Sequence, residues 1–352
     1  MNTIKRFLLL ITVLLCIVIF TPVKETTFMI KAQNDIRHQI NRWIDSDSND
    51  DNTQLAIPKK QEFAINNIQM NMTKKDVEAQ LGQHKRMTSS VYGTNWYTYY
   101  SNDYNQFLMV SYINNHVNAL YTNQNLISSK SQIKYDTPKD VVREKYGSPI
   151  QVIKKGKVGF DVKSNEYDVF HKDHIYTTVF YDKHRDNGVK SLLQVSEKME
   201  NRLRYQYGKP SKLLAKSFEL QNFDIVNAER KQHGLKTLDY SKDVSHTSRK
   251  HSIDMVKHNY FDHINQKKLS PFDRLKKDGI EFNAAGENLA YGQLNSIYAH
   301  EGLMNSLGHR KNILNTHFDY LGVGVYFNDR RQPFWTENYT RERRRERREG
   351  ER

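Results

Sequence analysis

Cysteine is almost absent from this chain. Cys16 is the only one, and it lies inside the apolar N-terminal stretch. The rest of the chain can form no internal disulfide, so an exported form must rely on core burial, which 352 residues permit. A dense basic stripe is also missing, although the net charge is +14. The final twelve residues, RERRRERREGER, hold seven Arg and four Glu and so carry +3 of that total, and the remaining +11 is dispersed. No nucleic-acid motif accompanies the charge. It points to anionic surroundings such as an envelope polymer or a lipid surface, and no nucleic-acid partner is expected. Hydrophobic residues at 37%, with 21 Tyr and 16 Phe, exclude wholesale disorder.

The only long apolar run is N-terminal. Lys5 and Arg6 precede Phe7 to Phe20, where Thr12 is the one polar residue, and the run extends to Val23. No small-x-small cleavage site follows it. Residues 1–25 are expected to anchor the chain through residues 7–23, with the N-terminus inside and the body outside; a cleaved signal peptide is the alternative. Bulky Leu14 and Leu15 argue against lipid modification of Cys16. Residues 26–64 follow as a polar linker. Its DSDSNDDNTQ stretch (45–54) has the look of a calcium loop, but Asp50 stands where the sharp turn needs Gly and Ala56 where a bidentate Glu is needed.

Residues 65–200 contain an internal repeat. MTKKDVEAQLG (72–82) matches DTPKDVVREKYG (136–147), each with a Thr three residues ahead of an Asp and a terminal Gly suited to a helix end. A third helix is expected over 195–210. Between the helices run NWYTYYS, QFLMVSYI and HVNALYTN, then YDVFHK, HIYTTVFYD and VKSLLQVS, alternating near period two. Two copies of a helix followed by three antiparallel strands are expected. His171, His174 and His184 lack a completing ligand shell and are expected in surface strands or turns. A binding or spacing role is the default for such a module.

After a connector (201–217) the character turns helical. Helices are expected over 218–234, 241–261, 270–279 and 295–308, with Ser270 as an N-cap and Pro271 at the first helical position, and strands over 320–327 and 333–339. The fold class is α+β, with a three-layer α/β/α sandwich at the C-terminus. His251, at helical spacing with Val244, Ser248 and Met255, is expected to pack and not to ligate.

The segments NAER, HSIDMVKHNYFDH, SPFDRLKKDGI, AAGENLA, MNSLGHRKNIL, LGVGV and WTENY, in this order, closely resemble the bacterial branch of the CAP superfamily. That superfamily comprises cysteine-rich secretory, antigen 5 and pathogenesis-related proteins. The resemblance covers residues 218–340, and the preceding repeat resembles the CAP-associated domain of some Gram-positive proteins. It implies an open cleft faced by two His and two acidic residues, where some members bind a divalent metal. By motif the cleft residues are His263, Glu287 and His309. At the fourth corner stands Ser306, and Leu303 replaces the usual Trp. Glu301, five residues away and about 140° round the helix, is expected to point elsewhere. His263, Glu287 and His309 are thus the candidate ligands for zinc or another divalent cation, at ~2.0–2.2 Å. In the plainer alternative His309 caps the carbonyls of the fourth helix and Glu287 braces loop amides.

The resemblance implies a cell-surface protein whose cleft binds a lipid, glycan or peptide. The alternative is an extracellular hydrolase using a metal-bound water, or Ser306 as nucleophile with His309 as base. No orienting third group and no G-x-S-x-G motif support that alternative. Residues 341–352 are expected to be a solvated, disordered tail.

Overall fold

The structure is a computed structural model that describes residues 54–342. The expected anchor, most of the polar linker and nearly all of the Arg/Glu tail lie outside the described residues. Among the described residues no helix is long and apolar enough to cross a membrane.

The first part of the chain runs β1 (Phe63–Ile65), α1 (Lys74–Leu81), β2 (Arg86–Ser89), β3 (Asn95–Tyr99), β4 (Leu108–Ile113), β5 (His116–Thr122) and β6 (Ile127–Ser129). It continues with α2 (Lys139–Tyr146), β7 (Val152–Lys155), β8 (Val158–Asp161), β9 (Tyr167–Lys172), β10 (Ile175–Asp182), β11 (Gly188–Ser196) and the single turn α3 (Glu197–Glu200). Seven strands form one antiparallel sheet in the order β2-β3-β4-β5-β11-β10-β9. Two meanders are joined across β5 and β11, from Thr122 opposite Leu192 to Ala119 opposite Val195. The duplication extends to detail: β4 and β10 each slip register at one place, between Ser111 and Tyr112 and between Phe180 and Tyr181.

Each copy holds more strands than its three apolar runs disclose. The short pair β1–β6, strand β2 and the β7–β8 hairpin carry little alternation. Thr73 Oγ1 accepts the Asp76 N–H as expected, but Thr137 Oγ1 accepts from Lys134 N instead and leaves α2 without a side-chain cap. The helix expected over 195–210 is reduced to α3, because β11 runs on through Ser196 in pairing with β5 and β10.

The second part comprises α4 (Lys212–Gln232), β12 (Asp239–Tyr240), α5 (Lys242–His258), α6 (Pro271–Lys277), β13 (Phe282–Tyr291), α7 (Ser296–Asn305), α8 (Leu307–Ile313), β14 (Tyr320–Phe327) and β15 (Pro333–Glu342). Helix α4 begins six residues before the expected position, with Ser211 Oγ accepting the Leu214 N–H. The sheet order is β12-β14-β15-β13, so β13 is an edge strand. AAGENLA, with no strong alternation of its own, is therefore a strand held in register with β15.

Two glycines set the layer spacing. A Cβ on Gly324 would lie 2.0 Å from Arg249 N, and one on Gly322 would lie 2.3 Å from Ser245 N. Helix α5 thus rests directly on the β14 backbone. Leu321, Val323 and Val325 alternate with these glycines and face α4, which gives the three layers.

The two parts are not beads on a linker. Alternate residues of the seven-stranded sheet feed two cores. Leu108, Val110, Leu120, Val179 and Leu192 pack with Val77 and Val142 of α1 and α2. Met109, Tyr121, Phe180 and Leu193 join a cluster that continues into Phe218, Phe223, Ile225, Leu303 and Trp335. Helix α4 is buried nearly all round because it lies between the two sheets. Polar groups cross this boundary in satisfied sets. Asp224 accepts from Arg86 at 2.8 Å and Tyr104 at 2.7 Å. Glu301 accepts from Tyr121 at 2.7 Å and Ser191 at 2.6 Å, and Lys190 Nζ lies 2.9 Å from its other oxygen. Glu301 does point away from the cleft, as expected; its place at the boundary was not. The buried Glu229 carboxyl is held well below its ordinary value: burial pushes it up, and bonds from His233 and His300 more than offset that.

This packing makes two predictions for thermal and denaturant unfolding. The described region should melt in a single calorimetric transition, not two. Glu301→Ala, which strands Lys190 in the interior, should cost about 3–5 kcal/mol, and Gly324→Ala about 3 kcal/mol through displacement of α5.

Candidate functional site

The cleft lies at the free edge of the four-stranded sheet, and elements from both faces reach round β13 to form it. His263 comes from the loop after α5, which ends at His258. That loop is held by His251, buried as expected, whose Nε2 donates to the Asp262 carbonyl at 3.0 Å. Burial holds the His251 ring below the usual imidazole range, with Glu287 opposing.

Glu287 sits within β13 and is buried, held from two sides. His263 Nδ1 donates to Oε1 at 2.9 Å, and Arg274 Nη2 donates to Oε2 at 2.6 Å. Arg274 Nη1 also donates to the carbonyls of His263 and Leu269, so one guanidinium fixes both the carboxylate and the loop. Arg274 belongs to α6, whose first turn is set by the expected cap: Ser270 Oγ accepts from Asp273 N while the Asp273 carboxylate accepts from Ser270 N. Glu287 does not brace loop amides; it joins a cation and an imidazole.

His309 approaches from the other face. The fourth helix breaks at Ser306, which ends α7 in an extended conformation and starts α8. His309 therefore lies in the first turn of a new helix and caps no carbonyls of the preceding one. Its Nδ1 is 2.7 Å from Ser306 Oγ. Helix α8 is tied to the strand by two side-chain amides. Asn288 Nδ2 donates to the His309 carbonyl at 3.2 Å and to Glu337 at 3.0 Å, and Asn312 Nδ2 donates to Asn288 Oδ1 at 2.8 Å and to the Glu287 carbonyl at 3.2 Å. Gly286 lets α8 come this close, since a Cβ there would lie 2.9 Å from Asn312 Oδ1.

The two imidazoles are tuned in opposite directions. His263 is raised above the ordinary value, first by its bond to Glu287, with burial opposing. His309 is lowered, first by burial, then by the positive potential of nearby His263; buried Glu337 opposes. The two rings therefore differ in how readily each takes up a proton.

All four expected cleft residues are thus found in two bonded pairs, His263–Glu287 and Ser306–His309, arranged round one strand edge. The three-ligand metal set fits less well. Glu287 has both oxygens committed, and among the described residues no three His, Cys, Asp or Glu side chains are grouped to hold an ion. The nitrogens left for a cation would be those of the imidazoles. Each uses Nδ1 within the protein, leaving Nε2 as the available nitrogen, with Glu287 orienting the first ring from behind. A bound divalent cation would supply Lewis acidity and polarise a water or carbonyl oxygen.

Arg274, Asn288, Asn312 and Glu337 were not anticipated as site residues. Two signals were available: an Arg inside the well-capped SPFDRL helix, and a Glu at the centre of the apolar strand WTENY. His171 and His174 lie on the surface around Glu197, as expected. His184 is in a turn, but its Nε2 meets the Asn305 carbonyl at the domain boundary.

Two imidazoles and a carboxylate gathered at the edge of an α/β/α sandwich, with a duplicated antiparallel sheet packed ahead of it, define a two-domain class of protein. Residues 223–339 match the cysteine-rich secretory protein family, and residues 70–206 match the CAP-associated N-terminal domain. The chain thus carries a CAP-associated N-terminal domain followed by a CAP domain. It is 28% identical over 284 residues to YlbC, an uncharacterized membrane protein of Bacillus subtilis (strain 168), covering 75% of this chain and 80% of that protein. It is 44% identical over 108 residues to the uncharacterized protein YkwD of the same organism, covering 31% of this chain and 42% of that protein. The fold is shared with an extracellular protein containing an SCP domain from Bacillus anthracis str. Ames, at TM-score 0.67 and 24% identity over 82% of this chain and all of that one. It is shared too with a cysteine-rich secretory protein from Staphylococcus aureus subsp. aureus Mu50, at TM-score 0.64 and 17% identity over 82% and 96%.

The opposed tuning is measurable by histidine NMR. His263 should titrate above about pH 6.5 and His309 below it, and Glu287→Gln should move His263 downward. The stability consequences oppose each other. The His263 contribution is complete below about pH 6.5 and is lost as pH rises through its folded value. The His309 contribution is complete above about pH 6.5 and is lost as pH falls through its folded value.

Proposed function

We propose that the cleft is a non-catalytic binding site for an amphipathic ligand, an acyl chain or apolar peptide bearing a polar head, on the outer side of the cell membrane. The observation that carries this is the rim. Phe261, Ile264, Phe272, Tyr291 and Leu307 are all exposed. They are the immediate neighbours of the site: Phe261 and Ile264 flank His263, Leu307 lies between Ser306 and His309, Phe272 precedes Arg274 on α6, and Tyr291 ends β13. Phe261, Tyr291 and Phe334 form one aromatic group, with Tyr291 and Phe334 centroids 4.3 Å apart. Exposed apolar side chains gathered round a few convergent polar groups are the usual make-up of a ligand site. The extracytoplasmic placement is supported by the N-terminal apolar run and by relatives described as extracellular and as a membrane protein.

One observation favours a hydrolase as the second reading. Ser306 Oγ and His309 Nδ1 are 2.7 Å apart, and burial lowers the His309 ring below the usual imidazole range, the direction that suits a base. Against it, Glu337 is engaged by Asn288 and Tyr339, so no carboxylate orients the ring. A divalent cation on the imidazole Nε2 atoms is compatible with either reading.

Full-length protein titrated with a fluorescent C16 fatty acid should bind it, and Phe261→Ser with Leu307→Ser should weaken binding at least fivefold without lowering the melting temperature. Saturable binding unchanged by the rim variant would remove this proposal. Ester hydrolysis abolished by Ser306→Ala would replace it with the second reading. Zinc titration should give heat that His263→Ala removes if the imidazoles hold a cation.

A further inference from the structure

A second concavity lies apart from the imidazoles, where the connector Tyr205–Tyr207 meets the turn between β14 and β15. It has a volume of about 420 Å³ and is lined by Tyr205, Tyr207, Arg330, Arg331 and Gln332, with Asp329 as its one acidic lining residue. That volume is in the range of small-ligand sites.

Its walls are built in advance of any ligand. Asn328 organises the turn: its Oδ1 accepts the N–H groups of Arg330 and Gln332, and its Nδ2 donates to Gln332 Oε1. Tyr207 OH donates to the Gly292 carbonyl at 2.8 Å, which fastens the connector to the end of β13. Tyr291 OH donates to Gln332 Oε1 at 2.8 Å. Arg331 stands at φ +65°, a left-handed backbone that glycine would adopt more easily. The side chain kept there spans the Tyr205 ring at 4.3 Å, and that ring is itself 60% exposed. No described carboxylate pairs with either guanidinium, and Arg204 and Lys209, exposed beside the wall tyrosines, add charge of the same sign.

We infer that this cavity is a second binding site, for a phosphodiester-linked sugar or polyol chain. The two halves of that ligand class match the two kinds of wall. Guanidinium groups recognise phosphate through paired N–H donors. The exposed tyrosine face, already stacked under a cation, offers a platform for a sugar or polyol carbon skeleton. The inference stands independently of the reading given to the imidazole cleft.

Binding is tested with the full-length protein in detergent, titrated with poly(glycerol phosphate) of about ten units, a neutral N-acetylglucosamine tetramer, and phosphatidylglycerol vesicles. The polymer should bind, weaken steeply with added salt, and lose at least tenfold in affinity in Arg330→Gln with Arg331→Gly. Glycine suits the left-handed backbone, so this variant should keep or raise the melting temperature while binding falls. Tyr205→Ala should lose about threefold, and His309→Ala should bind the polymer as the parent does. No polymer binding, equal binding by the double variant, equal binding of the neutral tetramer, or binding to vesicles alone would each overturn the inference.

Discussion

The structure depends on one helix being buried from two sides. Helix α4 closes the core of the CAP sheet with Phe218 and Ile225, and it presents Gln221, Asp224 and Glu229 to groups of the repeat domain. A helix buried all round must have its polar side chains satisfied by whatever covers it. Here the covering element is another domain's sheet, which supplies Arg86, Tyr104, Thr88 and Asn123 as partners. Neither domain could be removed without uncovering both apolar surface and half-satisfied charges. The CAP-associated domain thus forms one wall of the CAP domain's interior.

The cleft draws its order from that rigidity. Its residues arrive from the loop after α5, from β13 and from α8, and each arrival is fixed by a neighbouring side chain. Arg274 secures the Glu287 carboxylate and the His263 carbonyl together, His251 holds the preceding carbonyl, and the amides of Asn288 and Asn312 lock α8 to the strand. The outcome is a pair of imidazoles in unlike environments. One is raised by its bond to a carboxylate; the other is lowered by burial. Binding and catalytic readings both start from this asymmetry, and the exposed apolar rim is what favours the binding reading proposed above.

Much of this was legible before any coordinates. The seven CAP segments placed His263, Glu287, Ser306 and His309 in one cleft, and the period-two runs marked β3, β4, β5 and β9, β10, β11. What escaped was whatever depended on partners distant in sequence. AAGENLA has too little alternation to read as a strand, and only pairing with β15 makes it one. Arg274 looked like an ordinary surface charge on a short helix until the fold brought Glu287 to it. The break at Ser306 does not show in helical periodicity, and the nearest helix-ending signal, Gly308, lies two residues further on, inside α8. The domain boundary was least legible of all. Glu301 and Lys190 lie 111 residues apart, and nothing local to either announces that they share a buried site.

The pinned connector has a consequence for survival outside the cell. A chain without disulfides would be cut first at any slack segment between modules. Residues 201–211 are short of regular structure and would be the natural target, yet they are tethered at three points: Lys155 grips the Leu203 carbonyl, Arg202 the Tyr92 carbonyl, and Tyr207 the end of β13. A protease needs an extended stretch of free backbone, and exposing one here requires loosening the joint interior, so resistance to digestion follows the global unfolding equilibrium. Fusion of the two cores thus does for this protein what cross-linking does for small secreted domains.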